Sequence, residues 1–304
     1  MTGLCAVQNA VAQKRIITLS SALSETVYAL GKGGNIVAVD VTSEYPTAIK
    51  QKPRASRDRT FSLEGLLAFK PDLILTPPNQ LAQTAESRLK QLGVKVVTID
   101  QEYSIKGAER FMKEVGNAIG ASKEATALAK ELVTKIRQVQ ATLKTGIKKP
   151  KVLFIYARGV GLMSVAGKGS HIDAIITLAG GRNAVQEFYD FKPYSTEALI
   201  KANPDVLLLF DFGTSSLGGT NAILNMPGVS LTNAGKNKRV VSMDGPLLIN
   251  FSTRLPQAMK ELNGELYPHN LQKLPSFGGV GGGKKTKIPA YAGRQYTLIH
   301  CYNN

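Results

Sequence analysis

One phrase occurs twice in this chain. Residues 62–75 read SLEGLLAFKPDLIL and residues 195–208 read STEALIKANPDVLL, 133 positions later. Ser, Glu, Leu, Pro and Asp occupy the same places in both. Each copy opens as a short amphipathic turn of helix and meets a proline, which has no N–H to continue a helix and holds the residue before it extended. An unbroken apolar run follows, the composition of a strand buried on both faces. Two such units predict two related α/β lobes with a site between them, and 304 residues are enough for two separate cores.

The remaining sequence fits that plan. RIITLSSALSETVYALGKGGNIVAVD reads strand, loop, helix, strand, with Ser24 as a candidate N-cap and Leu30-Gly31 as the helix end. LKQLGVKVVTID gives another helix end and strand. From Ser104 to Lys144 the pattern is helical, with a break near Gly120-Ala121-Ser122 and Leu128, Leu132, Ile136 and Val139 at helical spacing. This predicts a long helix joining the lobes. After Pro150 come strand KVLFIYA, a glycine-rich loop to Ser170, helix HIDAIITLAGG, the second copy of the phrase, strands DVLLLF and RVVSMD, and a closing helix around Ser252–Glu265. Successive βα units are the grammar of a parallel sheet covered by helices. The expected organisation is an N-terminal lobe over 14–103, a linking helix over 104–146 and a C-terminal lobe over 147–268.

The two ends read differently. Ala10-Val11-Ala12 has the small-x-small form of a signal-peptidase site, so residues 1–13 are read as the remnant of a truncated export signal. Cys5 follows Thr2-Gly3-Leu4, an unsuitable context for a lipoprotein cysteine. Residues 269–304 are Gly- and Lys-rich without periodicity and read as a disordered tail. GGVGGGKK resembles a phosphate loop, but Lys285 stands where Ser or Thr is needed and no strand leads into it.

Composition removes several function classes. The net charge is +16, but Lys273, Lys284, Lys285, Lys287 and Arg294 of the tail supply five of those charges with no acid among them. Basic residues elsewhere are scattered, without the aromatic interleaving of a nucleic-acid surface, so no nucleic-acid partner is expected. No stretch approaches the ~20 apolar residues of a membrane span. With Cys5 and Cys301 at the extremes, the body can build neither a disulfide framework nor a cysteine metal site.

The ordered set of phrases RIITLSSALSETVYALG, VAVDVTSEYP, SLEGLLAFKPDLIL, SVAGKGSHIDAIITLAGGRNAV, KPYSTEALIKANPDVLLLF and SLGGTNAILNMPGV with RVVSMDGPLLINFSTRLPQAM runs through residues 15–262. It resembles the substrate-binding proteins of bacterial ABC importers for haem, ferric siderophores and cobalamin, and the second-half phrases resemble the haem branch. The resemblance implies a class III periplasmic-binding-protein fold, two Rossmann-like lobes with parallel sheets bridged by a long helix. It further implies an exported, periplasmic, non-catalytic monomer that holds its ligand in the cleft and works with a permease and its ATPase. Glu64 and Glu197 match the family's carboxylates, one per lobe, that dock on permease arginines. Two anionic knobs at equivalent places also make physical sense as a bivalent contact, and helix-start glutamates complementing a helix dipole are the structural alternative.

For haem, a site needs an axial donor, an apolar slot and cations for two propionates. The resemblance places a ligand tyrosine two residues before an arginine, just ahead of the first repeated phrase. SRDRTFSLEG keeps Arg59 but has Arg57 at the tyrosine position, and a guanidinium cannot ligate iron. His171, at a loop-to-helix junction of the second lobe, and Tyr45, in the SEYP turn, are the replacement candidates, with Met163 a weaker one. Tyr156, Tyr189 and Tyr194 are candidates to line the ring face. Arg57, Arg59, Arg158 and Arg182 are candidates for two-point carboxylate binding, which would also suit an anionic ferric siderophore. An enzyme reading finds no GxSxG, HExxH or post-strand GxGxxG. A chelatase-like alternative would rest on His171 with Asp173.

Overall fold

The computed structural model describes residues 14–58, 60–146, 148–159 and 163–268. The remnant of an export signal and the tail expected from sequence, and Arg59, lie outside the described residues.

The first lobe is a four-stranded parallel sheet in the order β2-β1-β3-β4. Its strands are β1 (Ile16–Thr18), β2 (Ile36–Val39), β3 (Leu73–Thr76) and β4 (Lys95–Thr98). Helices α1 (Ser21–Val27), α2 (Thr47–Lys50), α3 (Leu63–Leu67) and α4 (Gln83–Gln91) connect them. The apolar run LILT is buried at every position because each face of the sheet carries its own core. Leu73 and Leu75 pack with Ile16, Leu23 and Val27 on one face. Ile74 packs with Ile17, Ala38 and Leu66 on the other.

The linking segment is helical over the expected span and breaks where the sequence places a break, near Gly120-Ala121-Ser122. It is two helices, α5 (Ile105–Ile119) and α6 (Ser122–Thr142). The break falls where Gly120 takes φ 76° and caps α5 in the left-handed conformation that glycine adopts without strain. Helix α5 joins the lobes through its two faces. Phe111, Val115, Ala118 and Ile119 enter the first core. Ala108 and Met112 enter the second. Helix α6 repeats the division, with Ala125 in the first core and Ala129, Leu132 and Ile136 in the second.

The second lobe contains β5 (Lys151–Ala157), β6 (Met163–Ala166), α7 (His171–Leu178), β7 (Arg182–Asn183), β8 (Phe191–Lys192), α8 (Thr196–Ala202) and β9 (Val206–Phe210). There follow α9 (Asp211–Ser216), α10 (Thr220–Leu224), α11 (Asn233–Lys236), β10 (Val240–Met243), α12 (Gly245–Ile249) and α13 (Leu255–Leu266). The sheet order is β10-β9-β5-β6-β8, with β7 also paired to β5. Strands β10, β9 and β5 run parallel, as expected. Strands β6 and β8 are antiparallel to their neighbours, so this sheet is mixed. The glycine-rich loop expected before Ser170 contains β6, which folds back on the end of β5 and carries Ser164 beside Tyr156.

Candidate functional site

A cavity of about 710 Å³ opens where the carboxyl ends of both sheets face each other. In open α/β sheets this is where ligands sit, since loops and helix starts converge there. Ser20, Ser21, Thr42, Pro77 and Gln101 line it from the first lobe, and Tyr156, His171, Phe191, Phe210 and Asn250 from the second.

One wall is aromatic. His171 is the first residue of α7, held there because Ser170 caps the helix and its Oγ accepts the N–H of Asp173 at 3.1 Å. Its ring centre lies 5.3 Å from that of Tyr103 and 5.4 Å from that of Phe191. Tyr103 in turn meets Phe251 at 5.4 Å. Burial drives the His171 pKa down to about 4 against the nearby charge of Asp190, so the imidazole is neutral at pH 7 with a free lone pair. Burial, with Asp100 and Asp190 nearby, raises the pKa of the Tyr103 hydroxyl.

The floor is a polar bridge between lobes. The Gln101 side chain donates to the carbonyl of Asn250. Asn250 Nδ2 donates to Ser21 Oγ at 2.9 Å and to Glu25 Oε1 at 2.7 Å. Ser252 and Arg254 also bond Glu25, whose side chain is fully buried. Burial raises the Glu25 pKa, opposed by Arg254, Asn250 and Ser252.

At the mouth, a groove of about 460 Å³ shares Thr42 with the cavity. Arg57 enters it from the first lobe and Arg158 from the second, among Glu44, Asp58, Asp211 and Asp244. Arg158 Nε donates to Tyr156 Oη at 2.6 Å. Its guanidinium lies 5.8 Å from the Tyr156 ring centre and 5.5 Å from that of Phe212. Hydrogen bonds from the Thr60 amide and the Ser56 hydroxyl hold the Asp58 carboxyl below the usual range.

The structure thus gathers His171, Tyr156, Arg57 and Arg158 and leaves other candidates elsewhere. Tyr45 lines a different pocket, where the Arg254 guanidinium stacks 4.1 Å from its ring centre. Arg182 lies on β7, paired with Lys151 at the amino end of β5, the end of the sheet away from the cavity. Tyr194 donates to Glu187 at 2.7 Å, and Tyr189 is 67% exposed with Lys168 over its ring. Met163 packs against the core on the opposite sheet face from Tyr156. Asp173, offered as a catalytic partner of His171, instead accepts bonds from Gly169 N and Gln186 Nε2. Sequence reasoning missed Tyr103, Gln101 and Asn250. They stand in irregular segments after a strand or helix, where no periodicity marks the direction of a side chain.

Glu64 and Glu197 occupy equivalent places. Each is exposed in the first turn of a short helix capped by a serine, Ser62 for α3 and Ser195 for α8. Hydrogen bonds from its own amide and from Ser195 lower the Glu197 pKa.

A family model for the periplasmic binding proteins matches residues 16–247. The chain belongs to that family. Among solved structures it is similar to the periplasmic heme-binding protein BhuT in complex with two hemes, with 36% identity, a TM-score of 0.79, and 83% of this chain and 97% of that chain covered. It is also similar to the periplasmic heme-binding protein HutB of Vibrio cholerae, at 30% identity and TM-score 0.76, covering 84% of this chain and all of that one. The uncharacterized ABC transporter substrate-binding lipoprotein YvrC of Bacillus subtilis (strain 168) is 27% identical over 263 residues, 86% of this chain and 82% of that protein. Membership fits the geometry of this periplasmic binding protein, in which two α/β lobes enclose one cleft. No helix among the described residues is long and apolar enough to cross a membrane.

Proposed function

We propose that this chain is the exported, non-catalytic, monomeric receptor of an ABC importer, capturing haem between its lobes and delivering it to a permease and its ATPase. The observation that carries the reading is the two-part cleft. An aromatic slot with a neutral imidazole is joined to a groove entered by an arginine from each lobe. The slot suits a flat apolar ring, and Arg57 and Arg158 suit its two carboxylates. The similarity to heme-binding BhuT and HutB points the same way. Glu64 and Glu197 serve as the paired docking knobs.

Titrating the purified protein with hemin while following the Soret band tests the reading. A saturable stoichiometric shift is expected. No shift with hemin, together with binding of a ferric siderophore or cobalamin, overturns it.

A further inference from the structure

We infer that the amino-terminal edge of the second sheet is a docking surface for an anionic lipid bilayer. This edge lies at the opposite end of the strands from the cleft, so the docking is independent of the ligand held there.

The fold gathers at this edge basic residues that are scattered along the chain. Strands β10, β9 and β5 run parallel, with Val240 aligned to Leu207 and Val152 to Val206, and Arg182 of β7 is level with Lys151. Their starts therefore share one edge, which at the usual strand spacing is roughly 14 Å wide. Lys148 and Lys149 lead into β5, and Arg182 opens β7. Lys201 lies in the last turn of α8, ahead of β9, while Lys236 and Lys238 precede β10. Each of these side chains is exposed.

Two features separate this edge from ordinary solvated lysines. The first is the lack of pairing. On α4, α5 and α6, lysines are matched with acids one turn away, Lys90 with Glu86, Lys113 with Glu109 and Lys135 with Glu131. Among the described residues, no carboxylate forms an ion pair with the edge cations. The second is that the local acids are engaged elsewhere. Asp205 is half-buried, its Oδ2 accepting the Lys151 amide at 2.9 Å and its Oδ1 the Asn233 Nδ2 at 2.8 Å. Glu265 attracts Arg239, whose Nη2 also donates to its carbonyl at 2.6 Å. Like charges gathered without acids repel one another, and a bound polyanion removes that repulsion.

The shape selects the kind of polyanion. None of the cavities described above includes these residues, whereas a small anion is held in such a concavity. Single-stranded nucleic acid needs free aromatic faces for its bases. The nearby Tyr267 ring is instead tied down by its hydroxyl, which donates to the Gly180 carbonyl at 2.9 Å. Separate cations spread over a sheet edge suit a broad anionic surface, on which each Lys or Arg contributes by itself. Adsorption through this edge leaves the cleft clear, because the cavity sits at the carboxyl ends of the strands.

Co-sedimentation of the full chain with lipid vesicles tests the assignment. Vesicles of phosphatidylglycerol and phosphatidylcholine in equal parts should bind it at low salt and release it at about 1 M NaCl, where the screening length is about 3 Å. Pure phosphatidylcholine vesicles should not bind it. Each cation at an anionic surface changes affinity about fivefold. Lys148→Gln with Lys149→Gln and Lys238→Gln should therefore weaken binding roughly 100-fold. Lys90→Gln with Lys113→Gln and Lys135→Gln removes the same net charge from the paired lysines and should leave binding near the wild-type value. Both triple variants should match wild type in circular dichroism. Equal weakening by the two triple variants would reduce the effect to net charge and overturn the assignment. So would binding that is lost only when Lys273, Lys284, Lys285 and Lys287 are changed to Gln, or a wild-type chain that binds soluble polyphosphate but no vesicle.

Discussion

Arg254, at the start of α13 in the second lobe, places Nη2 2.5 Å from Oε1 of Glu25 on α1 of the first. Only 13% of the Arg254 side chain and none of the Glu25 side chain is exposed. The pair sits under the cavity, because Asn250 bonds Glu25 and also lines the ligand space. A buried pair adds little net stability over a well-packed apolar one, but removing one partner strands a charge. Arg254→Ala is therefore expected to cost about 3–5 kcal/mol. Urea unfolding of the variant should show the midpoint fall accordingly, and an unchanged midpoint would show that the pair does not hold the lobes.

Glu25 also makes a pH prediction. Its folded pKa lies above 4.5, chiefly through burial. The folded state thus binds its proton more tightly than the unfolded chain does. The stability this adds is full below pH 4.5 and is lost as pH rises through the folded pKa. Glu25→Gln should remove that loss, seen as a flatter melting temperature above pH 4.5 than in wild type. An unaltered profile would assign the slope to other groups.

His171 acts in the opposite direction. Its folded pKa, about 4, lies below the ordinary 6.5, so the folded state resists protonation. This stabilisation is present above pH 6.5 and is lost as pH falls toward 4. Proton NMR should show the His171 ring still neutral at pH 5.5, and a midpoint near 6.5 would mean that the ring is hydrated.

The mouth arginines should act on affinity. Charge-assisted hydrogen bonds contribute about 1.5–3 kcal/mol, so Arg57→Ala or Arg158→Ala should weaken hemin binding by roughly 10- to 100-fold. Tyr45→Phe and Arg182→Ala should leave it unchanged, since neither residue lines the cavity. Soret titrations of all four variants separate the two groups.

Docking has a separate signature. Glu64→Ala with Glu197→Ala should spare hemin binding and abolish uptake through the permease, both carboxylates being exposed and away from the cleft lining. Wild-type uptake by the double variant would leave them only as helix-start charges.

Much of the fold was legible because strands buried on both faces are written as unbroken apolar runs: LILT and VLLLF are β3 and the whole of β9. The repeated serine–glutamate phrase likewise marks the capped helices α3 and α8. What escaped was set by tertiary contact. The antiparallel β6 is four residues inside a glycine-rich stretch, too short to show a period. The linking segment is helical on both sides of Gly120, and contacts such as the packing of Ala125 against Gly116 show that its halves fold on each other. Tyr45 and His171 looked alike as candidates, one in a turn and one at a helix start. Arg254, far along the chain, draws Tyr45 to its own pocket.

Crystals grown with hemin and measured at the iron absorption edge give the most direct test. The anomalous peak is expected inside the cleft, bounded by Tyr103, Tyr156, His171 and Phe191, with haem carboxylates toward Arg57 and Arg158. An iron peak on the outer surface, or a cleft left unchanged by saturating hemin, would contradict haem capture between the lobes.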